Sequence, residues 1–229
     1  MIRKLSLFSL VALFSVAVAC GGGGGGEMES MAAEETVDAA PGPTTGDGAP
    51  MFEVDPFWPK PLPNNWLLGS TIGVAVDSRD HVWVVHRGNL APNEAPAALD
   101  PPFAAECCFP APPILEFDQE GNLVGHWGGP GEGYDWPDSN HGIALDNMDN
   151  VWIGGNGGAD SHVLKFTRAG DFLLQVGEHD HEGPDSLSTT RYSQVAKVRY
   201  DASANEVYIA DGYGNKRVAV VDADTGELK

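Results

Sequence analysis

The chain has 229 residues, 42% of them hydrophobic and 9% aromatic, which is enough for a packed core in one large domain or two small ones. Its 33 acidic residues against 13 basic ones give a formal charge of −20. That balance excludes a nucleic-acid backbone or an anionic membrane surface as the main partner.

Residues 1–19 read as an export signal and not as part of the fold. "MIRK" supplies two positive charges, and "LSLFSLVALFSVAVA" is an apolar run too short for a comfortable membrane span. The run ends at Cys20 in "AVAC", with small residues at Ala17 and Ala19. This resembles a bacterial lipobox, in which the cysteine is lipidated and becomes the mature N-terminus, although the leucine usual three residues earlier is alanine here. A simple cleaved signal with an incidental cysteine is the alternative. Residues 20–50 open with six glycines and continue as "EMESMAAEETVDAAPGPTTGDGAP", an acidic tether with too little apolar surface to fold. The expectation is an exported domain in the bacterial cell envelope that touches the membrane only through a lipid anchor, with the folded part over residues 51–229.

The folded part repeats itself. "GVAVDSRDHVWVVHRG" from Gly73, "GIALDNMDNVWIGGNG" from Gly142 and "KVRYDASANEVYIADG" from Lys197 align. Each has an alternating strand ending in Asp (Asp77, Asp146, Asp201), a polar turn, and a second strand centred on Trp83, Trp152 or Tyr208. A second hairpin follows each time: "ILEFDQEGNLVGHWG", "VLKFTRAGDFLLQVG" and "VAVVDADTGELK". No sustained helical periodicity occurs after residue 50. Four short antiparallel strands per unit, repeating every roughly 50 to 70 residues, describe the blades of a β-propeller better than a sandwich. The predicted fold class is therefore all-β. The pattern also resembles NHL repeats, which build six-bladed propellers in many secreted bacterial proteins. Only about three such units fit in this chain, and the early strand "MFEVD" lacks a local partner, as if a later blade were to close the ring on it. The expectation is the N-terminal part of a longer propeller, with a ring completed by a second chain as the other possibility.

Hairpin geometry places three chemically active residues at one end of the blades. The start of a first strand and the end of a second lie at the same edge of an antiparallel hairpin. His141 opens the first strand of the second unit, Arg87 follows the second strand of the first, and Tyr213 follows the second strand of the third. A neutral imidazole ligates zinc, a guanidinium forks onto a carboxylate, and a phenol near a cation can serve as a base. Together they suit a small anionic substrate beside a metal. The plainer alternative is that His141 bonds a backbone carbonyl, Arg87 is a solvated rim charge and Tyr213 packs a turn.

The segments "GVAVDSRDHVWVVHRG", "NHGIALD" and "EVYIADGYGNKRV" resemble the propeller lyase that cleaves peptidyl-α-hydroxyglycine into a peptide amide and glyoxylate. The resemblance covers roughly residues 70–229. It implies that His141 is a zinc ligand, that Arg87 and Tyr213 handle substrate or act in catalysis, and that the backbone carbonyls of Val74 and Ile143 help hold a calcium ion in the channel. Two departures stand out. The family uses three histidines on zinc, two of them from blades after the DGY segment, and they have no counterpart in this sequence. It also has a cysteine after the tyrosine, where this chain has Gly214. The first departure implies that this stretch alone is not catalytic. The partners expected are a small anionic or peptide substrate, or a protein or glycan if the propeller is a scaffold. A calcium-dependent lactonase-like propeller is a third reading, requiring acidic and asparagine ligands at the channel floor.

The remaining features read as structural. Cys107 and Cys108 adjoin each other in "AAECCFPAPP"; in an oxidising compartment they form a disulfide that stiffens the loop, and a reduced pair is a possible metal ligand. His179 and His181 in "GEHDHEGPD" read as a solvated inter-blade loop with incidental metal binding as the alternative. His81, His86, His126 and His162 show no partner in sequence. "DNMDN" and "DADTGE" lack the full spacing of calcium loops and read as hairpin turns.

Overall fold

The computed structural model describes residues 44–88, 108–179 and 183–229. The signal, Cys20, most of the tether, Cys107 and His181 lie outside the described residues. The chain divides into two units, residues 1–53 and Val54–Lys229. In the first, residues 44–50 close a small turn in which Thr44 bridges Pro50 and the Gly48 N–H donates to the Thr45 carbonyl at 2.9 Å.

The second unit is built of strands, and no helix occurs among the described residues. Strands β1 (Trp66–Leu67) and β4 (Phe109–Pro110) form a short parallel pair. The first four-stranded sheet has the order β2-β3-β5-β6, from β2 (Thr71–Val76), β3 (Val82–His86), β5 (Ile114–Phe117) and β6 (Leu123–Trp127). The second has the order β10-β9-β8-β7, from β7 (Asn140–Leu145), β8 (Val151–Gly155), β9 (His162–Phe166) and β10 (Phe172–Gly177). The third pairs β11 (Lys197–Asp201), β12 (Glu206–Asp211) and β13 (Arg217–Asp222), with Leu228 bridging back to Val221. Every pairing within the three sheets is antiparallel.

These are three successive propeller blades, and the described residues form an all-β partial propeller. The innermost strand β7 packs between the innermost strands β2 and β11 of its neighbours. One expectation needs correction. "MFEVD" forms no strand: residues 51–55 have no ladder partner among the described residues, and an unpaired strand has nothing to hold it extended. The third blade has three strands and a single bridge where the others have four.

Alternation of apolar side chains supplies the glue between blades. Trp83, Val85 and Ile114 of blade 1 meet Ile143, Val151, Ile153, Leu164 and Phe166 of blade 2 in one core. Ala144, Trp152 and Val163 on the other face of blade 2 meet Val198, Val207, Ile209 and Val221 of blade 3 in a second. The far face of blade 1 is covered by the segment carrying Trp58, Leu62 and Trp66, which packs on Val84, Leu115 and Phe117.

The strand-ending aspartates close the turns at the far rim. The Asp77 carboxylate accepts the backbone N–H groups of Arg79 and His81 at 2.8 and 2.9 Å, and Asp146 accepts those of Met148 and Asn150 at 2.9 Å each. Only Asp77 then bonds the buried tryptophan of the next strand. In blade 1 the Trp83 indole N–H donates to Asp77, and Arg168 crosses from blade 2 to pair with Asp77 and Glu116 while lying over the Trp83 ring. In blade 2 the position of Glu116 is taken by Lys165, which pairs with Asp146 from its own blade and covers Trp152. The Trp152 indole nitrogen is left without a partner. The repeat keeps the aspartate and tryptophan and changes where the cation comes from.

Candidate functional site

The near rim carries the residues singled out by hairpin geometry. His141 is the second residue of β7, and its Nδ1 lies 2.6 Å from the carbonyl oxygen of Ala196, just before β11. A carbonyl only accepts, so Nδ1 carries a proton, and in the neutral ring the lone pair is then on Nε2. This backbone bond to one ring nitrogen is the arrangement that orients a metal-ligating imidazole. Gly142 makes it possible. It sits at a register shift in the β7–β8 ladder with φ +77°, and a Cβ there would lie 3.3 Å from the Ala196 oxygen. The Tyr213 ring stands edge-on to His141, with centroids 5.9 Å apart, and is 55% exposed. A phenol so open to solvent is not simply turn packing.

Arg87 follows β3 and is held by Asn156. Its Nη2 donates to Asn156 Oδ1 at 3.0 Å, and the Ser139 hydroxyl donates to the same oxygen at 2.9 Å. Gln194 donates to the Asn156 carbonyl at 3.2 Å. The Nε of Arg87 is sealed from solvent and has no hydrogen-bond partner. Arg87 is thus a held guanidinium with one donor unsatisfied. His86, the residue before it, is fully buried between the Gly69 N–H and the Pro112 carbonyl, and burial holds its pKa below the ordinary histidine value. It is a core histidine.

Val74 and Ile143 lie on innermost strands and line one cavity of about 300 Å³ together with Lys197, Val198 and Arg199. Calcium takes carboxylate and carbonyl oxygens. This lining offers two cations and no carboxylate, so a calcium ion there would have no carboxylate ligand from it. Cys108 is disulfide-bonded, while Cys107 and Cys20 lie outside the described residues.

Sequence reasoning overlooked Asn156, Ser139 and the Ala196 carbonyl. Asn156 was reachable, because the repeat alignment puts it four residues after Trp152, as Arg87 stands four after Trp83. The Ala196 carbonyl was not, since a backbone acceptor leaves no trace in residue type. His179 also differs from the solvated loop residue expected: its Nε2 is buried and unpartnered. His81 pairs with Glu116, and His126 packs against the Trp66 ring at 4.7 Å.

The fold and this rim define a repeat propeller whose blade ends converge on a polar site. No protein-family model matches the chain. Over 183 residues the chain is 27% identical to mouse NHL repeat-containing protein 3, a match covering 76% of this chain and 44% of that protein. The chain therefore spans less than half the length of that relative. The likeness supports NHL-type repeats and a propeller scaffold.

Proposed function

We propose that this rim is part of the active centre of a zinc-assisted lyase that cleaves peptidyl-α-hydroxyglycine to a peptide amide and glyoxylate, in an exported protein anchored through Cys20. The observation that carries the reading is the tautomer of His141, whose Nδ1–H is tied to the Ala196 carbonyl so that the Nε2 lone pair stays free beside Tyr213. Nε2, together with ligands from other parts of the protein, would hold a zinc ion, and the chemistry it would supply there is polarisation of the substrate hydroxyl. The phenolate form of Tyr213 would accept the hydroxyl proton and become the neutral phenol. The O–H electron pair becomes the aldehyde C=O as the C–N bond breaks, and the departing amide nitrogen takes a proton from solvent. Arg87, positioned by Asn156, would bind the glycine carboxylate through guanidinium N–H groups that Asn156 does not hold. No step requires calcium.

In the full-length protein, Arg87→Met raises KM for an N-acyl-α-hydroxyglycine by at least about tenfold with a smaller change in kcat, and Tyr213→Phe lowers kcat with KM held. Turnover indifferent to both substitutions defeats the assignment. The likeness to an NHL repeat-containing protein favours a second reading, a non-catalytic scaffold binding a protein or glycan. Under that reading Arg87→Ala and His141→Ala change partner binding, if at all, without any dependence on metal.

A further inference from the structure

A cluster of one histidine and two carboxylates lies on the same rim of blade 2, built from residues the lyase reading does not use. The antiparallel order brings the starts of β7 and β9 and the end of β10 to one end of the sheet. Asp138 precedes β7, Asp160 precedes β9 and His179 follows β10. One imidazole nitrogen and one oxygen from each carboxylate lie within 4.8 Å of one another.

Each member is held differently. Asp160 is fully buried, and its carboxylate accepts the backbone N–H groups of Asp138 at 2.8 Å, Ser139 at 3.0 Å and Gly157 at 2.7 Å. Two of those bonds fall on Oδ2 and one on Oδ1, which leaves lone-pair capacity on Oδ1. Asp138 is largely exposed, its side chain 61% accessible. The Nε2 of His179 is sealed from solvent, has no hydrogen-bond partner, and stands 3.9 Å from Asp138 Oδ1. That gap is too long for a hydrogen bond. Two metal–ligand bonds of roughly 2.0–2.2 Å at a tetrahedral angle span about 3.3–3.6 Å, so a bound ion would draw these two atoms a few tenths of an ångström closer.

A second unpartnered imidazole sits behind the first. His162 has no exposed surface, and its ring meets that of His179 edge-on with centroids 5.6 Å apart. Its Nε2 donates to the Asp135 carbonyl at 2.7 Å, so Nδ1 is a bare lone pair, and that atom too is buried without a partner. Two adjoining imidazoles each lacking one partner, next to two carboxylates, call for a ligand that accepts the His179 lone pair and can carry a donor. A hydrated dication does both.

We propose that Asp138, Asp160 and His179 bind a divalent metal of the zinc class through one nitrogen and two oxygens, at a site separate from His141. The imidazole selects a borderline transition metal over calcium or magnesium, and three protein ligands leave at least one position for water. The ion ties together three loops of blade 2.

The test is zinc titration calorimetry on the full-length His141→Ala protein, which removes the rim ligand of the lyase reading. One zinc site is expected to remain and to raise the thermal midpoint. Adding His179→Ala or Asp138→Asn is expected to weaken that zinc affinity at least about tenfold. Asp138→Asn serves as the fold-safe variant because its side chain is mostly solvated, whereas Asp160 organises backbone and is left intact. The proposal is overturned if the His141→Ala protein binds no zinc, or if it binds zinc with the same affinity after both added substitutions. A loss of the site with His141→Ala alone would assign the metal to the rim and also overturn it.

Discussion

Replacing Arg168 with methionine is the sharpest probe of how the blades hold together. Its guanidinium leaves blade 2 and pairs with Asp77 at 2.5 Å, with Glu116, and with Asp149 at 3.3 Å, while lying 5.1 Å from the Trp83 ring centre. The Asp77 side chain has no exposed surface and that of Glu116 is 8% exposed. Methionine fills similar volume but strands two buried carboxylates, and breaking a buried pair in this way costs about 3–5 kcal/mol. Asp77 keeps its bonds from Trp83, Arg79 and His81, and Glu116 keeps His81, which favours the lower end of that range. At roughly 2–4 °C per kcal/mol for a domain of this size, the thermal midpoint falls by about 6–12 °C. Denaturant unfolding followed by tryptophan fluorescence measures the loss, and a cycle with Glu116→Gln measures coupling, expected above about 1 kcal/mol. A loss within about 1 kcal/mol and no coupling would show that the network behaves as an exposed pair, and the latch argument would fail.

Two further outcomes follow from the near rim and the buried histidines. Gly142→Ala forces a Cβ into left-handed backbone against the Ala196 carbonyl, costs about 1–2 kcal/mol, and weakens zinc binding at His141 in the full-length protein; unchanged affinity in calorimetry argues against the Ala196 bond as the orienting contact. Burial, the largest influence, holds the pKa of His86 and His162 below the ordinary 6.5 in the folded state. The unfolded chain therefore binds more protons between the two values, so their contribution is fully present above about pH 6.5 and is lost as pH falls toward the folded pKa. For Asp77 and Asp146 burial acts upward but is outweighed by hydrogen bonds from the Trp83 indole and the Asn150 amide and from turn N–H groups, giving a lowered pKa and a second loss below about pH 4. Thermal midpoints recorded from pH 7.5 to 3 should fall in those two steps, and a flat profile from 7 to 5 would contradict neutral burial of the histidines.

Much of the fold was legible because the repeats encode it. Alternation in "GIALD" and "VWIGG", the aspartate at each strand end and the tryptophan after each turn fixed strands, turns and blade count. The segment before the first repeat was less legible: "MFEVD" alternates as a strand should, but pairing depends on an edge that local sequence does not reveal. The site was half legible. Strand direction put His141 and Tyr213 on one rim, and they touch there. The Asn156 bridge to Arg87, the Ala196 carbonyl on His141 and the convergence of Asp138, Asp160 and His179 depend on which loop lies beside which, a matter of blade stacking. The same stacking turned Asp77, His81 and Glu116 from three scattered polar residues into a network filled by Arg168.

The most direct measurement is glyoxylate release by the full-length, zinc-supplied protein from an N-acyl-α-hydroxyglycine, with His141→Ala alongside. The account expects catalysed release by the native protein and a loss of at least about a hundredfold in the variant, as for removal of a group that acts in the transition state. Release no faster than the uncatalysed breakdown, or equal rates from both proteins, would contradict it.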